Sequence, residues 1–387
     1  MLNRRILRVK AMQALYGYFT AVESMKEGSK NELLEMHSLD PAKHDFADKG
    51  LFEERKKLAV QLFNKNLLKG SVEDADKVDS EVRTNVNNVL HEFSVKLNKE
   101  ARARKNEMMK ESRRIQETYL KLLILPIEIE QREKLEKEKE EKAYVTKAKR
   151  AFPFINNIIV NALKEDEDFQ QVIGRTGVSW SIEQEEIKSW YREQIRTAEP
   201  LENFFDVNKD AASDKALVSE LFKRVIFKNE TINSYLESQS LHWSENQPII
   251  KSLVVKTLKD LNEDGEIRLA ELTKNGEEDF QFLERLYTDV IEQNDFLEEQ
   301  IQANTKNWDV DRIALTDRVI LKLAVVEMMN SPSIPMKVSI NEAIEISKIY
   351  STPKSKQFVN GVLDVLANDL TSSGKIRKSG RGLIDNK

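Results

Sequence analysis

The sequence predicts an all-α protein, and three observations predict it. Glycine and proline number only 12 and 8 in 387 residues, so turns are sparse and the elements between them must be long. Charged residues make up 33% of the chain and are mostly Glu and Lys, which are good helix formers. Apolar residues recur at three- and four-residue spacing, while the strict alternation of a half-buried strand is hard to find.

Residues 3–24 read as one helix with Ile6, Met12 and Leu15 among its buried positions, and the polar stretch from Gly28 to Gly50 reads as a connection. A second helical region follows, in which Val78, Val82, Val86, Val89, Phe93 and Leu97 form a regular apolar stripe. From 101 to 145 charge dominates, ending in Glu136-Lys137-Glu138-Lys139-Glu140-Glu141-Lys142. Acid and base alternate there at helical spacing, which predicts an exposed or frayed helix.

Residues 151–327 contain a repeat. Leu221, Val225, Ile226, Asn229 and Trp243 recur at an offset of 65 residues as Leu286, Val290, Ile291, Asn294 and Trp308. A weaker third copy aligns Trp180-Ser181 and Ile187-Lys188-Ser189 with Trp243-Ser244 and Ile250-Lys251-Ser252. Each unit is expected to be a helix, a turn marked by its tryptophan, and a second helix.

Near the C-terminus, Ser339 followed three residues later by Glu342 spells a capping box and predicts a helix start near Ile340. That helix must end before Pro353, because the residue preceding a proline is pushed out of the helical region. A last helix restarts around Ser355 and presents Phe358, Val362 and Leu366 at helical spacing. Gly361 inside it costs roughly 1 kcal/mol relative to alanine, which points to close backbone packing at that position.

The chain has no cysteine, so it forms neither a disulfide framework nor a thiolate metal site, as suits a reducing cytoplasm. No apolar run approaches the ~20 residues that span a bilayer. The first helix carries arginines like a signal peptide, but Gln13, Tyr16 and Tyr18 interrupt any apolar core and no small-residue cleavage site follows. A soluble cytoplasmic protein is expected. Net charge is −5, which excludes a generally basic nucleic-acid coat and makes any RNA contact local. Positive charge concentrates in the N-terminal arm, Arg4, Arg5, Arg8 and Lys10, and in the tail, Lys375, Arg377, Lys378 and Arg381.

The four histidines, His37, His44, His91 and His242, show no H-E-x-x-H spacing, and no nucleophile elbow, phosphate loop or dinucleotide fingerprint is present. Neither catalysis nor a cofactor is expected. The segment from Asp260 to Glu271 satisfies the EF-hand spacing, with Asp260, Asn262, Asp264, Glu266 and Glu271 as candidate oxygen donors and Gly265 at the sharp turn. A calcium hand also needs an exiting helix, and Asn275-Gly276 breaks the chain soon after Glu271 with no partner loop elsewhere. The segment therefore reads as an acidic linker between repeats, and no metal is assigned to it.

The pattern Pro335-x-Lys337-Val338-x-Ile340-Asn341-Glu342-Ala343, followed by Phe358-Val359-Asn360-Gly361-Val362-Leu363-Asp364, resembles the bacterial transcription antitermination factor NusB. The resemblance extends upstream through Trp308 to Arg312 and Asp317 to Glu327, and reappears in Arg4 to Tyr16. It implies a NusB-like helical bundle, here expanded by inserted helix-hairpin repeats. The expected organisation is an N-terminal helical subdomain (1–145), inserted repeats (146–278), a C-terminal NusB-like subdomain (279–372) and a basic tail (373–387).

The resemblance further implies a non-enzymatic RNA-binding protein that reads boxA-like single-stranded RNA in ribosomal RNA transcripts. Its partners would be NusE, a small-subunit ribosomal protein, and, indirectly, the RNA polymerase elongation complex. The RNA face would combine the first helix, through Arg4, Arg5, Arg8, Lys10 and Tyr16, with the start of the last, through Ser355, Lys356, Gln357 and Phe358. The arginines suit phosphates, and aromatic rings suit unstacked bases. NusE would bind the helix carrying Asp317 and Arg318. The alternative is a helical-repeat interaction scaffold without specific RNA binding.

Overall fold

A computed structural model of the chain describes residues 3–40, 48–73, 79–142, 151–205, 211–260, 266–305 and 313–384. Among them the regular elements are all helical and no strand occurs, as the composition predicts. The α-helices in chain order are α1 (Arg4–Met36), α2 (Lys49–Asn66), α3 (Ser80–Lys142), α4 (Ile158–Glu165), α5 (Glu167–Thr176), α6 (Gln184–Ser189) and α7 (Ala211–Glu220). There follow α8 (Glu230–Gln239), α9 (Trp243–Lys259), α10 (Glu277–Glu292), α11 (Asn294–Asn304), α12 (Leu315–Asn330), α13 (Met336–Tyr350) and α14 (Ser355–Ser372). Among the described residues no helix is long and apolar enough to cross a membrane. The chain divides into two compact units: one holds Met1–Arg4 and Lys110–Asp279, the other Arg5–Met109 and Phe280–Lys387.

The first unit is built on the second part of α3, which the alternating charge had marked as exposed. Tyr119, Leu120, Leu122, Leu123, Leu125 and Ile129 are all buried. From Tyr119 to Ile129 the helix is apolar around most of its circumference, and such a helix belongs inside a core whatever the charge of its flanks. Pro126 deletes one amide from its ladder, yet the helix continues through it. Buried polar groups tie the surrounding turns to this core. Glu133 accepts from the amides of Phe154 (2.8 Å) and Ile155 (3.2 Å) and from the Tyr191 hydroxyl (3.2 Å). The Tyr119 hydroxyl pairs with Thr257 Oγ1 at 2.6 Å and accepts from the Ala270 amide, and burial pushes the phenol up to about 12.

Two of the three tryptophans of the repeat fall within the described residues, both at joints between helices. Trp180 falls between α5 and α6, and Trp243 opens α9 after α8; Trp308 lies outside the described residues. Trp180 and Trp243 are both buried, and each indole N–H finds an acceptor, Lys121 O for the first and Asn233 Oδ1 for the second. Leu221 and Leu286 are buried in their respective copies, as are Val225 and Val290. Of the calcium-loop positions, Asn262, Asp264 and Gly265 lie outside the described residues, and Asp260 is the C-cap of α9.

In the second unit α1 runs on to Met36, through Gly28, where a connection was expected. Lys30 bonds Glu27 at 2.6 Å along the helix, and Leu33 docks into a cluster with Phe63, Val82, Val86, Val89 and Phe93. Tertiary burial of one late turn thus outweighs the weak propensity of a lone glycine. The stripe on α3 is confirmed by the same cluster, with Leu97 packed on its edge; Val78 lies outside the described residues. The C-terminal bundle centres on α12, whose Val319, Ile320, Leu321, Val325, Val326 and Met328 are buried beneath α13 and α14.

Two local expectations are overturned here. Helix α13 begins at Met336 behind Pro335, so Ser339 lies inside it and caps nothing. Pro335, with its fixed φ, already sets the entry that the capping box was expected to make. Gly361 is exposed, and a Cβ there would meet nothing within 4 Å, so no close packing within the chain requires it. The boundaries at Tyr350 and Ser355 stand where Pro353 and the apolar stripe put them.

The tail is a clasp. After Gly374, in the left-handed region at φ +71°, Lys375 N and Ile376 N donate to Leu370 O, and Ile376 is buried. Ser379 N donates to Pro332 O, Lys378 Nζ donates to Ser331 O at the C-cap of α12, and Lys375 lies 3.8 Å over the Phe296 ring. Burial pushes the Lys378 ammonium down to about 8, with Glu327 opposing the shift. Because an unfolded lysine titrates near 10.4, the unfolded chain holds more protons than the folded one between about pH 8 and pH 10. Stability should therefore rise with pH across that window. Thermal unfolding midpoints should climb more steeply in the wild type than in Lys378→Met, and parallel curves would refute the linkage.

Candidate nucleic-acid interface

Two polar clusters take in residues of the first and last helices of the second unit. In one, Arg8 forms a two-pronged bond to Glu327, Nε to Oε2 at 2.6 Å and Nη2 to Oε1 at 2.7 Å. Ser339 Oγ donates to the same Glu327 Oε1 at 2.6 Å, and Arg8 also lies 3.7 Å from Glu342. The side chains of Arg8 and Glu327 are 8% and 2% exposed. Arg5 sits outside this core at 48% exposure and grips Glu342 through both prongs at 2.8 Å. The hydrogen bond from Arg5 holds the Glu342 carboxyl below the usual range, and the same pair raises the Arg5 guanidinium. Two arginines thus face two glutamates, and a phosphate approaching Arg5 must compete with Glu342 for the same donors.

The other cluster joins α12 to the start of α14. Ser355 Oγ donates to Asp317 Oδ2 at 2.7 Å and lies within hydrogen-bond reach of Ser351 and Thr352. Asp317 and Ser355 are both buried. Arg318 reaches Glu298 at 3.8 Å. Lys322 bonds Glu298 and Asn294 at 2.7 Å and lies 4.1 Å over the Phe19 ring; burial lowers its ammonium, with Glu298 opposing.

The residues expected at an RNA face are therefore divided. Tyr16, Lys356 and Gln357 are exposed and Phe358 is half-buried. Arg8, Lys10 and Ser355 are buried, and Asp317, expected at a partner surface, instead positions Ser355 from beneath. Arg4 belongs to the first unit, where it meets Asp279 at 3.4 Å and Glu278 at 3.5 Å. Sequence reading missed the partners Glu327, Glu342 and Glu298. A signal was there for two of these pairs. Glu327 is a lone acid in Leu323-Ala324-Val325-Val326-Glu327-Met328, and Lys322 a lone base in Val319-Ile320-Leu321-Lys322-Leu323-Ala324-Val325-Val326; buried charges are paired.

Fold and site together define an all-α protein whose C-terminal bundle locks its charges between helices and leaves a short polar and aromatic segment of α14 accessible. The family model for NusB matches residues 248–368, beginning inside the segment read as inserted repeats. Among curated proteins, the transcription antitermination protein NusB of Chloroherpeton thalassium is 43% identical over 104 residues, 27% of this chain and 49% of that protein. NusB of Salinibacter ruber is 44% identical over 103 residues, 27% of this chain and 64% of that protein. NusB of Bacillus pumilus is 48% identical over 89 residues, 23% of this chain and 68% of that protein. The chain thus spans about half of the first relative and under two thirds of the second. No solved structure matches it. The chain belongs to the NusB family.

Proposed function

We propose that the chain is a non-catalytic, cytoplasmic RNA-binding factor of transcription antitermination. It recognises a boxA-like single-stranded element in nascent ribosomal RNA together with NusE, and holds that RNA near the elongating polymerase. The observation that carries this reading is the accessible segment Lys356-Gln357-Phe358, set at the start of α14 by the buried Ser355–Asp317 bond within the part of the chain matched to NusB. Lys356 supplies a phosphate contact, Gln357 a base-edge contact, and Phe358 and Tyr16 supply faces for unstacked bases. Arg4 and Arg5 add phosphate contacts only by exchanging their carboxylate partners, whereas Arg8 and Lys10 act from within the bundle. NusE docks on α12 beside Arg318, the accessible neighbour of Asp317 at 28% exposure. Two weak surfaces sharing one RNA gain effective concentration.

The test is fluorescence anisotropy of a labelled boxA-like RNA and a scrambled control, with NusE present. Selective binding is expected, weakening steeply with salt and falling about tenfold in Lys356→Ala/Gln357→Ala, whose side chains are exposed. Equal or absent binding to both RNAs would move the assignment to a helical-repeat interaction scaffold.

A further inference from the structure

A cleft of about 400 Å³ opens in the first unit between α3, the turn around Trp180 and the α8–α9 hairpin. Ile115, Trp180, Leu236 and Trp243 give it an apolar floor. Ile182 lines it and Leu241 directly follows the lining pair Gln239 and Ser240; these two side chains are 91% and 93% exposed, more than any other large hydrophobic among the described residues. Exposed aliphatics on the lining of a preformed apolar cleft and next in the chain to it mark a site where another surface sits.

The charges around the cleft state what that surface carries. Arg114 is held by Glu111 at 2.6 Å, and Lys121 by Glu183 at 2.6 Å with its ammonium 4.4 Å over the Trp180 ring. Glu117 lines the cleft and Glu186 acts on Tyr235 in its wall, and neither has a cationic partner among the described residues. Both lining cations are thus already engaged by carboxylates and Glu117 is left over, which repels a phosphate backbone and attracts positive charge. The cleft holds one or two large side chains and Leu241 is not among its lining residues, so an occupant that fills it and also covers Ile182 and Leu241 must be a polypeptide segment.

We propose that this cleft is a docking site for a partner protein's amphipathic segment in which apolar side chains alternate with lysine or arginine. The apolar face fills the cleft and covers Ile182 and Leu241, and the basic residues pair with Glu117 and Glu186. This function lies outside the RNA face and is independent of it.

The test uses the full chain and three fluorescein-labelled peptides of helical periodicity: one of Leu and Lys, the same with every Lys replaced by Glu, and one with every Leu replaced by Ser. Only the Leu/Lys peptide should bind by fluorescence anisotropy. Its affinity should fall about tenfold in Ile182→Ser/Leu241→Ser and again in Glu117→Lys, all exposed positions, with circular dichroism unchanged. No binding of the Leu/Lys peptide, equal binding of either control, or affinity unchanged in both variants would each overturn the proposal.

Discussion

Glu327→Ala should lower the unfolding free energy by about 3–5 kcal/mol, because it strands a buried guanidinium. Three donors lose their acceptor at once: two nitrogens of Arg8 and the Ser339 hydroxyl. Lys378 also loses the carboxylate that opposes its desolvation. None of these groups can turn to water easily, since Arg8 and Ser339 are buried. Replacing both charges, as in Arg8→Met/Glu327→Leu, should recover most of the loss, because a well-packed apolar pair carries no desolvation cost. Arg5→Ala breaks an exposed pair and should cost no more than about 1 kcal/mol. Urea unfolding of the four proteins decides it. A Glu327→Ala variant within ~0.5 kcal/mol of wild type would show the pair to be accessible to water after all. The contrast also bears on function: RNA binding lost in Arg8→Ala reports on folding, whereas loss in Arg5→Ala reports on contact.

Legibility in the sequence followed the range of the interaction. Proline and apolar spacing act within a few residues, so the limits of α13 and α14 around Pro353 could be read from the chain itself. The capping box failed although its letters were right, because Ser339 and Glu342 are bound by residues from other helices, Glu327 and the arginines of α1. The same long range hid the role of α3. Its charged flanks are real, but burial of Tyr119 to Ile129 depends on helices that arrive much later in the chain, such as α9 through Thr257, 138 residues from Tyr119. Arg8 shows the limit for the site. An arginine on the first helix of a presumed RNA-binding bundle reads as a phosphate ligand until its carboxylate, 319 residues away, is placed beside it.

Trp180→Ala should destabilise the first unit by about 3–5 kcal/mol, the range for deleting a buried tryptophan. The ring is fully buried and meets Trp190 edge-on at 5.6 Å and Tyr235 at 6.5 Å; its N–H donates to Lys121 O, and the Lys121 ammonium lies over its face. Trp180→Phe keeps much of the packing and loses the hydrogen bond, so its cost should fall well below that of alanine. If the repeat is one structural device used twice, Trp243→Ala should cost a comparable amount. Its ring stacks on Phe227 at 6.4 Å and its N–H reaches Asn233 in the preceding helix of its own hairpin. Urea titration followed by far-UV circular dichroism measures both. A loss near 4 kcal/mol for one tryptophan and under ~1 kcal/mol for the other would mean that the second merely fills space and that the matched positions do not share a structural role.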